Sequence, residues 1–148
     1  MPLPEPEAGL VVRYEYVWAS QAGRAANADA ANADKDHPAC ILAAWRDTED
    51  GAIAVIYLPI SHTPPVPPDI GIELTPAAKK AAGLDVRPQW VLVSQANKDD
   101  WGFDLRQIPG RPGIFHYGYL PPAMFETIKA AFLSTYRARR VKLIGKSA

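Results

Sequence analysis

Cysteine is almost absent from this chain of 148 residues: Cys40 stands alone. A lone cysteine excludes an internal disulfide framework. It lies in the apolar run Ala39-Cys40-Ile41-Leu42, where a small buried hydrophobe fits better than a nucleophile. Net charge is absent too, because 16 Lys and Arg face 16 Asp and Glu. Such a chain is not drawn to polyanions as a whole, and any nucleic-acid contact requires a local patch. No apolar run approaches the roughly 20 residues that a membrane-spanning helix needs. The opening Met1-Pro2-Leu3-Pro4-Glu5-Pro6-Glu7 is acidic and proline-rich, the opposite of a signal peptide. These absences predict a cytoplasmic protein with no membrane partner. Histidine is scarce, with three scattered residues. They lack the close ligand spacing of a zinc site, so neither a metal nor a cofactor is expected.

Proline is abundant, with 15 residues, which argues against a helical bundle and for short strands joined by sharp turns. The hydrophobic fraction of 48% is enough for a core, and the length suits a single domain over 1–148. Residues 9–18 alternate, placing Leu10, Val12, Tyr14, Tyr16 and Trp18 on one strand face and Arg13 and Glu15 on the other. Residues 20–36, rich in Ala, Asn and Asp, read as a long mobile loop. Residues 38–46 and 52–60 read as strands around a polar turn, and 70–74 and 89–94 as two more.

Thr75-Pro76 has the form of a helix cap followed by proline at the first position, opening a short helix over 77–82 that Gly83 stops. Residues 104–108 and 114–119 read as the last strands. A long helix near 121–139 presents Phe125, Ile128, Phe132 and Tyr136 on one face. It ends in Arg137, Arg139, Arg140 and Lys142, suited to the negative end of the helix dipole. Residues 1–8 and 141–148 read as flexible tails. The whole is mainly β, a small, partly closed barrel with a terminal helix across it.

Chemistry concentrates in two proline-hinged segments, Lys35-Asp36-His37-Pro38 and Leu58-Pro59-Ile60-Ser61-His62-Thr63-Pro64-Pro65. The strand 52–60 between them sets His37 and Ser61-His62 at one sheet edge. Acid–base work on a phosphodiester needs groups of this kind. His62 is either the partner of His37 in an acid–base pair or a turn residue. His116 lies on the polar face of an alternating strand. Trp101, in the polar run 97–102, either stacks a base or folds back on the core. Arg106 either clamps phosphate or pairs with Asp104.

Four segments in order resemble the PemK/MazF family of toxin–antitoxin ribonucleases, in its longer PemK-like branch, over residues 9–140. They are the opening strand Gly9-Leu10-Val11-Val12-Arg13-Tyr14, the step Lys35-Asp36-His37-Pro38, the segment 58–65, and 90–106 with Asn97, Trp101 and Asp104-Leu105-Arg106. The resemblance implies an SH3-like barrel with a C-terminal helix, a homodimer, and a cognate antitoxin that inserts a segment into its grooves. It also implies metal-independent cleavage of single-stranded RNA by attack of the 2′-hydroxyl, leaving a cyclic phosphate. His37, Ser61 and His62 are then the catalytic residues, and Lys35, Thr63, Trp101 and Arg106 bind substrate. This chain departs from the family at His37, where Arg is usual, at Ser61, where Thr is usual, and at Gln95, where the branch has Glu. Ser61 keeps the hydroxyl, and His37 exchanges protons near neutral pH where Arg does not. Alternatives on the same barrel are a non-catalytic module that binds peptide or nucleic acid, and a toxin that inhibits a protein target.

Overall fold

Alternation and proline punctuation produce a sheet protein. The computed structural model describes residues 3–19 and 36–146. In chain order the strands and helices are β1 (Leu10–Tyr14), β2 (His37–Arg46), β3 (Ile53–Ser61), β4 (Gly71–Glu73), α1 (Pro76–Ala82), β5 (Trp90–Leu92), β6 (Gln95–Asp100), β7 (His116–Tyr119), α2 (Pro122–Arg137) and β8 (Lys142–Gly145). The loop expected over 20–36 lies outside the described residues, except for Asp36. Among the described residues no helix is long and apolar enough to cross a membrane.

The strands form one eight-stranded sheet whose main path runs β4-β5-β3-β2-β1-β7. β3 is forked. Its first half, Ala54 to Tyr57, pairs with β6, and its end, Ile60 and Ser61, pairs with β5. β8 adds to β6 in parallel, while the other pairings are antiparallel. The sheet does not close on itself: β7, β4 and β8 remain as ends. Residues 104–108 do not form the expected strand. They contribute one bridge, Leu105 to Tyr14, because Asp104 takes a positive φ of 60 that breaks the extended run.

β1, β2 and β3 are buried on both faces. Val11, Cys40, Leu58 and Ile60 point toward α1 and α2, where Ile128 and Phe132 meet them. Leu10, Val12, Tyr14, Ile41, Val55 and Tyr57 build a second core on the opposite face, with Tyr16 and Leu105. The period-2 rule thus assigns each neighbour to a different core. Burial pushes the Cys40 thiol up to about 12, which leaves it a packing residue. α1 forms as its cap signals: the Thr75 hydroxyl accepts from the Ala78 N–H at 3.1 Å, and Gly83 ends it at φ 78. On α2, Ile128, Phe132 and Thr135 form the buried stripe. Tyr136, expected on that stripe, is 61% exposed and stacks on Phe132 instead. It falls one residue past the i, i+4, i+7 series that Thr135 completes.

Two elements were not legible as strands. β6, with sequence Gln95-Ala96-Asn97-Lys98-Asp99-Asp100, is polar, yet Gln95, Asn97 and Asp99 are buried. β8 occupies the stretch expected to be a flexible tail. Just past it, the Lys146 ammonium sits 4.5 Å over the Tyr14 ring and 2.7 Å from Asp104. The Tyr14 ring stacks on Tyr57 at 3.9 Å, and its hydroxyl donates to Asp99 at 2.8 Å.

Two expectations follow for stability. Among the described residues the buried Tyr57 hydroxyl has no hydrogen-bond partner. Tyr57→Phe removes an unmet polar group and should stabilise the fold by about 1 kcal/mol in denaturant unfolding; a loss of stability would contradict this. Asp99 is 2% exposed, and burial raises its carboxyl above the ordinary 3.8, against the pull of the Tyr14 hydroxyl, the Asp100 N–H and Lys146. The folded chain therefore holds that proton more tightly than the unfolded one. This contribution to stability is present below 3.8 and is lost as pH rises through the raised folded value. Asp99→Asn removes that titration. The melting temperature of the variant minus that of wild type should grow more positive between pH 4 and pH 7, and a flat or shrinking difference would count against the assignment.

Candidate functional site

Three strands end side by side at the site. Tyr14 pairs with His37 and Arg13 with Pro38 across β1 and β2. Ala39 pairs with Pro59 across β2 and β3, which brings the start of β2 beside the end of β3. The chain then turns through His62 and Thr63. His37, Ser61, His62 and Thr63 line one cleft of about 400 Å³, whose walls Arg13, Trp18 and Arg87 extend.

Each of these groups is held. Ser61 Oγ accepts from the Thr63 N–H at 3.0 Å and donates to the Thr63 carbonyl at 3.1 Å, so the hydroxyl fixes the turn that carries His62. His62 Nε2 lies 3.2 Å from Asp85 Oδ2. A carboxylate only accepts, so Nε2 carries the proton and Nδ1 is the accepting nitrogen of the neutral ring. Asp85 also takes the Arg87 guanidinium at 2.7 Å and the Arg87 N–H at 3.0 Å. The Arg87 guanidinium holds the Asp85 carboxyl below its ordinary value against desolvation, with the Arg87 N–H and His62 adding to the pull. The loop bearing Asp85 is anchored from α1, where buried Lys79 donates to the carbonyls of Val86 and Arg87 at 3.0 Å each.

Arg13 is held on the other wall. Its Nε donates to Asp36 Oδ2 and its Nη2 to the Asp36 carbonyl, each at 2.8 Å, while Nη1 reaches the Tyr117 hydroxyl at 3.2 Å. Burial works against the charge, but Asp36 and Tyr117 outweigh it and raise the guanidinium further. The Trp18 indole meets the His37 ring edge-on, with centroids 5.2 Å apart.

Trp18 owes its place to β6. Asn97 accepts from the Val17 N–H at 2.8 Å and donates to the Val17 carbonyl at 2.9 Å, so its amide acts as one more rung of strand pairing. Gln95 Oε1 accepts from the Ala19 N–H at 2.9 Å and the Tyr16 hydroxyl at 3.3 Å, and its Nε2 donates to Asp69 at 3.2 Å. Both functions of the amide are used. An ionised Glu at this position has no donor for Asp69.

Lys35 lies outside the described residues. Trp101 and Arg106 do not line the cleft. Trp101 packs, partly buried, against the second core, and Arg106 pairs with Glu15 and Asp104. Arg13, Asp85 and Arg87 were missed by sequence reasoning. Arg13 sits on a strand face that reads as ordinary polar surface. Asp85 and Arg87 follow a helix stop, with no spacing signal that links them to His62. Among the described residues no group of three or more His, Cys, Asp or Glu stands close enough to hold a metal.

The Asp85 contact has a direct spectroscopic consequence. Nitrogen-15 spectra of neutral His62 should show mainly the Nε2–H tautomer in wild type and a mixture of tautomers in Asp85→Asn; identical spectra would remove Asp85 from this role. Compared with known proteins, the chain matches no family model, no curated protein and no solved structure.

Proposed function

We propose that the cleft at the ends of β2 and β3 cleaves single-stranded RNA, and that the chain is the toxin of a type II toxin–antitoxin pair built on an SH3-like, PemK/MazF-like fold. One observation carries the reading: two imidazoles, two hydroxyls and two guanidinium groups, brought by separate stretches of chain, face a single polar cleft. Cleavage by the substrate's own 2′-hydroxyl needs a base for that proton, an acid for the departing 5′-oxygen, and charge for the phosphate. His62 Nδ1, with Asp85 behind Nε2, takes the 2′-proton. The 2′-oxygen forms its bond to phosphorus as the bond to the 5′-oxygen breaks. His37, in its protonated form, gives that oxygen a proton, and a 2′,3′-cyclic phosphate remains. Arg13 and Arg87 hold the non-bridging oxygens. Arg13 thereby supplies, from the neighbouring strand, the guanidinium that the resembling family carries at position 37. A cognate antitoxin and a homodimer belong to the same reading.

His37→Ala and His62→Ala should each lower cleavage of single-stranded RNA by ~10²–10⁴-fold, with melting curves unchanged. Ser61→Ala should cost less, since its hydroxyl mainly holds the turn at Thr63. Activity should peak near neutral pH and survive chelator. Wild-type protein, free of antitoxin, that leaves RNA intact from mildly acidic to mildly basic pH would overturn the reading.

A second reading, a peptide-binding module, is favoured by one observation. An apolar groove of about 380 Å³ runs between α2 and the sheet, walled by Leu42, Ile56, Phe132 and Leu133, with exposed Trp45 and Tyr136 at its rim. The same RNA assay decides between the two, because a binding module leaves the RNA whole.

A further inference from the structure

Trp18 lines the cleft and also a second, smaller cavity of about 220 Å³. Asp69, Ser94 and Gln95 form its polar wall, and Arg140 and Lys142 stand at its edge. That wall is built rather than incidental. Ser94 and Gln95 are 5% and 4% exposed. Both donate to Asp69 Oδ1, at 3.1 and 3.2 Å. Each is fixed in turn, Ser94 Oγ by the Ile70 N–H at 2.9 Å and Gln95 by the Ala19 N–H. Asp69 is therefore a locked carboxylate whose Oδ2 accepts no hydrogen bond from the described residues. Arg140 and Lys142 enter no ion pair among the described residues. In a chain without net charge, two cations outside any such ion pair, beside a half-buried indole, make a local site for a phosphate that carries an aromatic group.

We infer that this cavity is a nucleobase subsite selective for guanine, an inference that rests on the RNA reading of the neighbouring cleft. The cavity holds one planar base, not a stretch of polymer. Trp18 offers a face for stacking, and Arg140 and Lys142 reach the flanking backbone phosphate. The selectivity comes from Asp69. A fixed carboxylate rewards adjacent N–H donors and repels carbonyl oxygens. Guanine places N1–H and the N2 amino group side by side on its Watson–Crick edge. Adenine and cytosine each put a ring-nitrogen acceptor beside their amino group, and uracil sets its one N–H between two carbonyls. Because Trp18 borders both cavities, the base and the scissile phosphate belong to the same short stretch of strand.

The test is calorimetric binding of 3′-GMP, 3′-IMP, 3′-AMP, 3′-CMP and 3′-UMP to the full chain, with cleavage sites mapped on a mixed-sequence RNA. 3′-GMP should bind roughly tenfold or more tighter than the others, and 3′-IMP, which lacks only the N2 amino group, should lose most of that advantage. In Asp69→Asn the amide oxygen still accepts from Ser94 and Gln95, while the amide NH₂ faces the donors of guanine. This variant should lose the preference for 3′-GMP, and the cuts it still makes should no longer cluster beside G. Equal binding of the five nucleotides overturns the subsite, as does cleavage with no preference for G. Neither result touches the cleavage reading. RNA left whole together with tight, Asp69-dependent binding of 3′-GMP overturns the cleavage reading and leaves the subsite standing. The comparison of 3′-GMP with 3′-IMP needs no variant, so it decides the matter even if Asp69→Asn does not fold.

Discussion

The polar face of β6 is the constraint on which the rest of this structure depends. Gln95, Asn97 and Asp99 alternate along one strand and are all buried. Each binds the end of β1 or the segment that follows it: Gln95 holds Tyr16 and Ala19, Asn97 holds both backbone groups of Val17, and Asp99 holds Tyr14. Buried polar groups cost free energy unless they are paired, and paired ones fix a single arrangement. Here they dock the segment after β1 onto β6 side chain by side chain, where backbone pairing has ended. Trp18 is delivered beside His37 as a result. Loss of one of these amides would strip partly buried backbone groups of Val17 or Ala19 of these partners.

The cleft is organised by charge balance. Its two guanidinium groups each face a carboxylate, Asp36 for Arg13 and Asp85 for Arg87. Local neutrality mirrors the equal count of acidic and basic residues in the whole chain. Asp85 is the node of this arrangement. It binds His62, Arg87 and Gln89, and Lys79 holds its loop against α1.

The strands that carry the cleft were legible because apolar residues recur on them with period two and prolines bound them. β2 and β3 appear where alternation places them, β1 covers only Leu10–Tyr14 of the expected 9–18, and α1 forms where Thr75, Pro76 and Gly83 place it. The meeting of His37 and the Ser61 segment in one cleft was legible for the same reason, since a strand, a turn and a strand bring those positions to one edge. β6 was not legible. Period-two reasoning looks for apolar residues facing a core, and this strand faces a core with amides and a carboxylate. β8 was not legible because residues 141–148 carry no strong apolar pattern. It is a strand only because β6 offers it an edge.

By itself, the sequence determined local matters: the spans of β2 and β3, the caps of α1, the buried state of Cys40, and the clustering of protic groups at two prolines. Those follow from steric and solvation preferences that act over a few residues. The tertiary structure alone decided which distant charges meet. Arg13 joins the cleft because β1 pairs with β2, Asp85 reaches His62 across 23 residues of chain, and Trp18 is placed by a strand roughly 80 residues away. Electrostatic and hydrogen-bond partners are selected by distance in space, and distance in space is fixed only when the sheet register is.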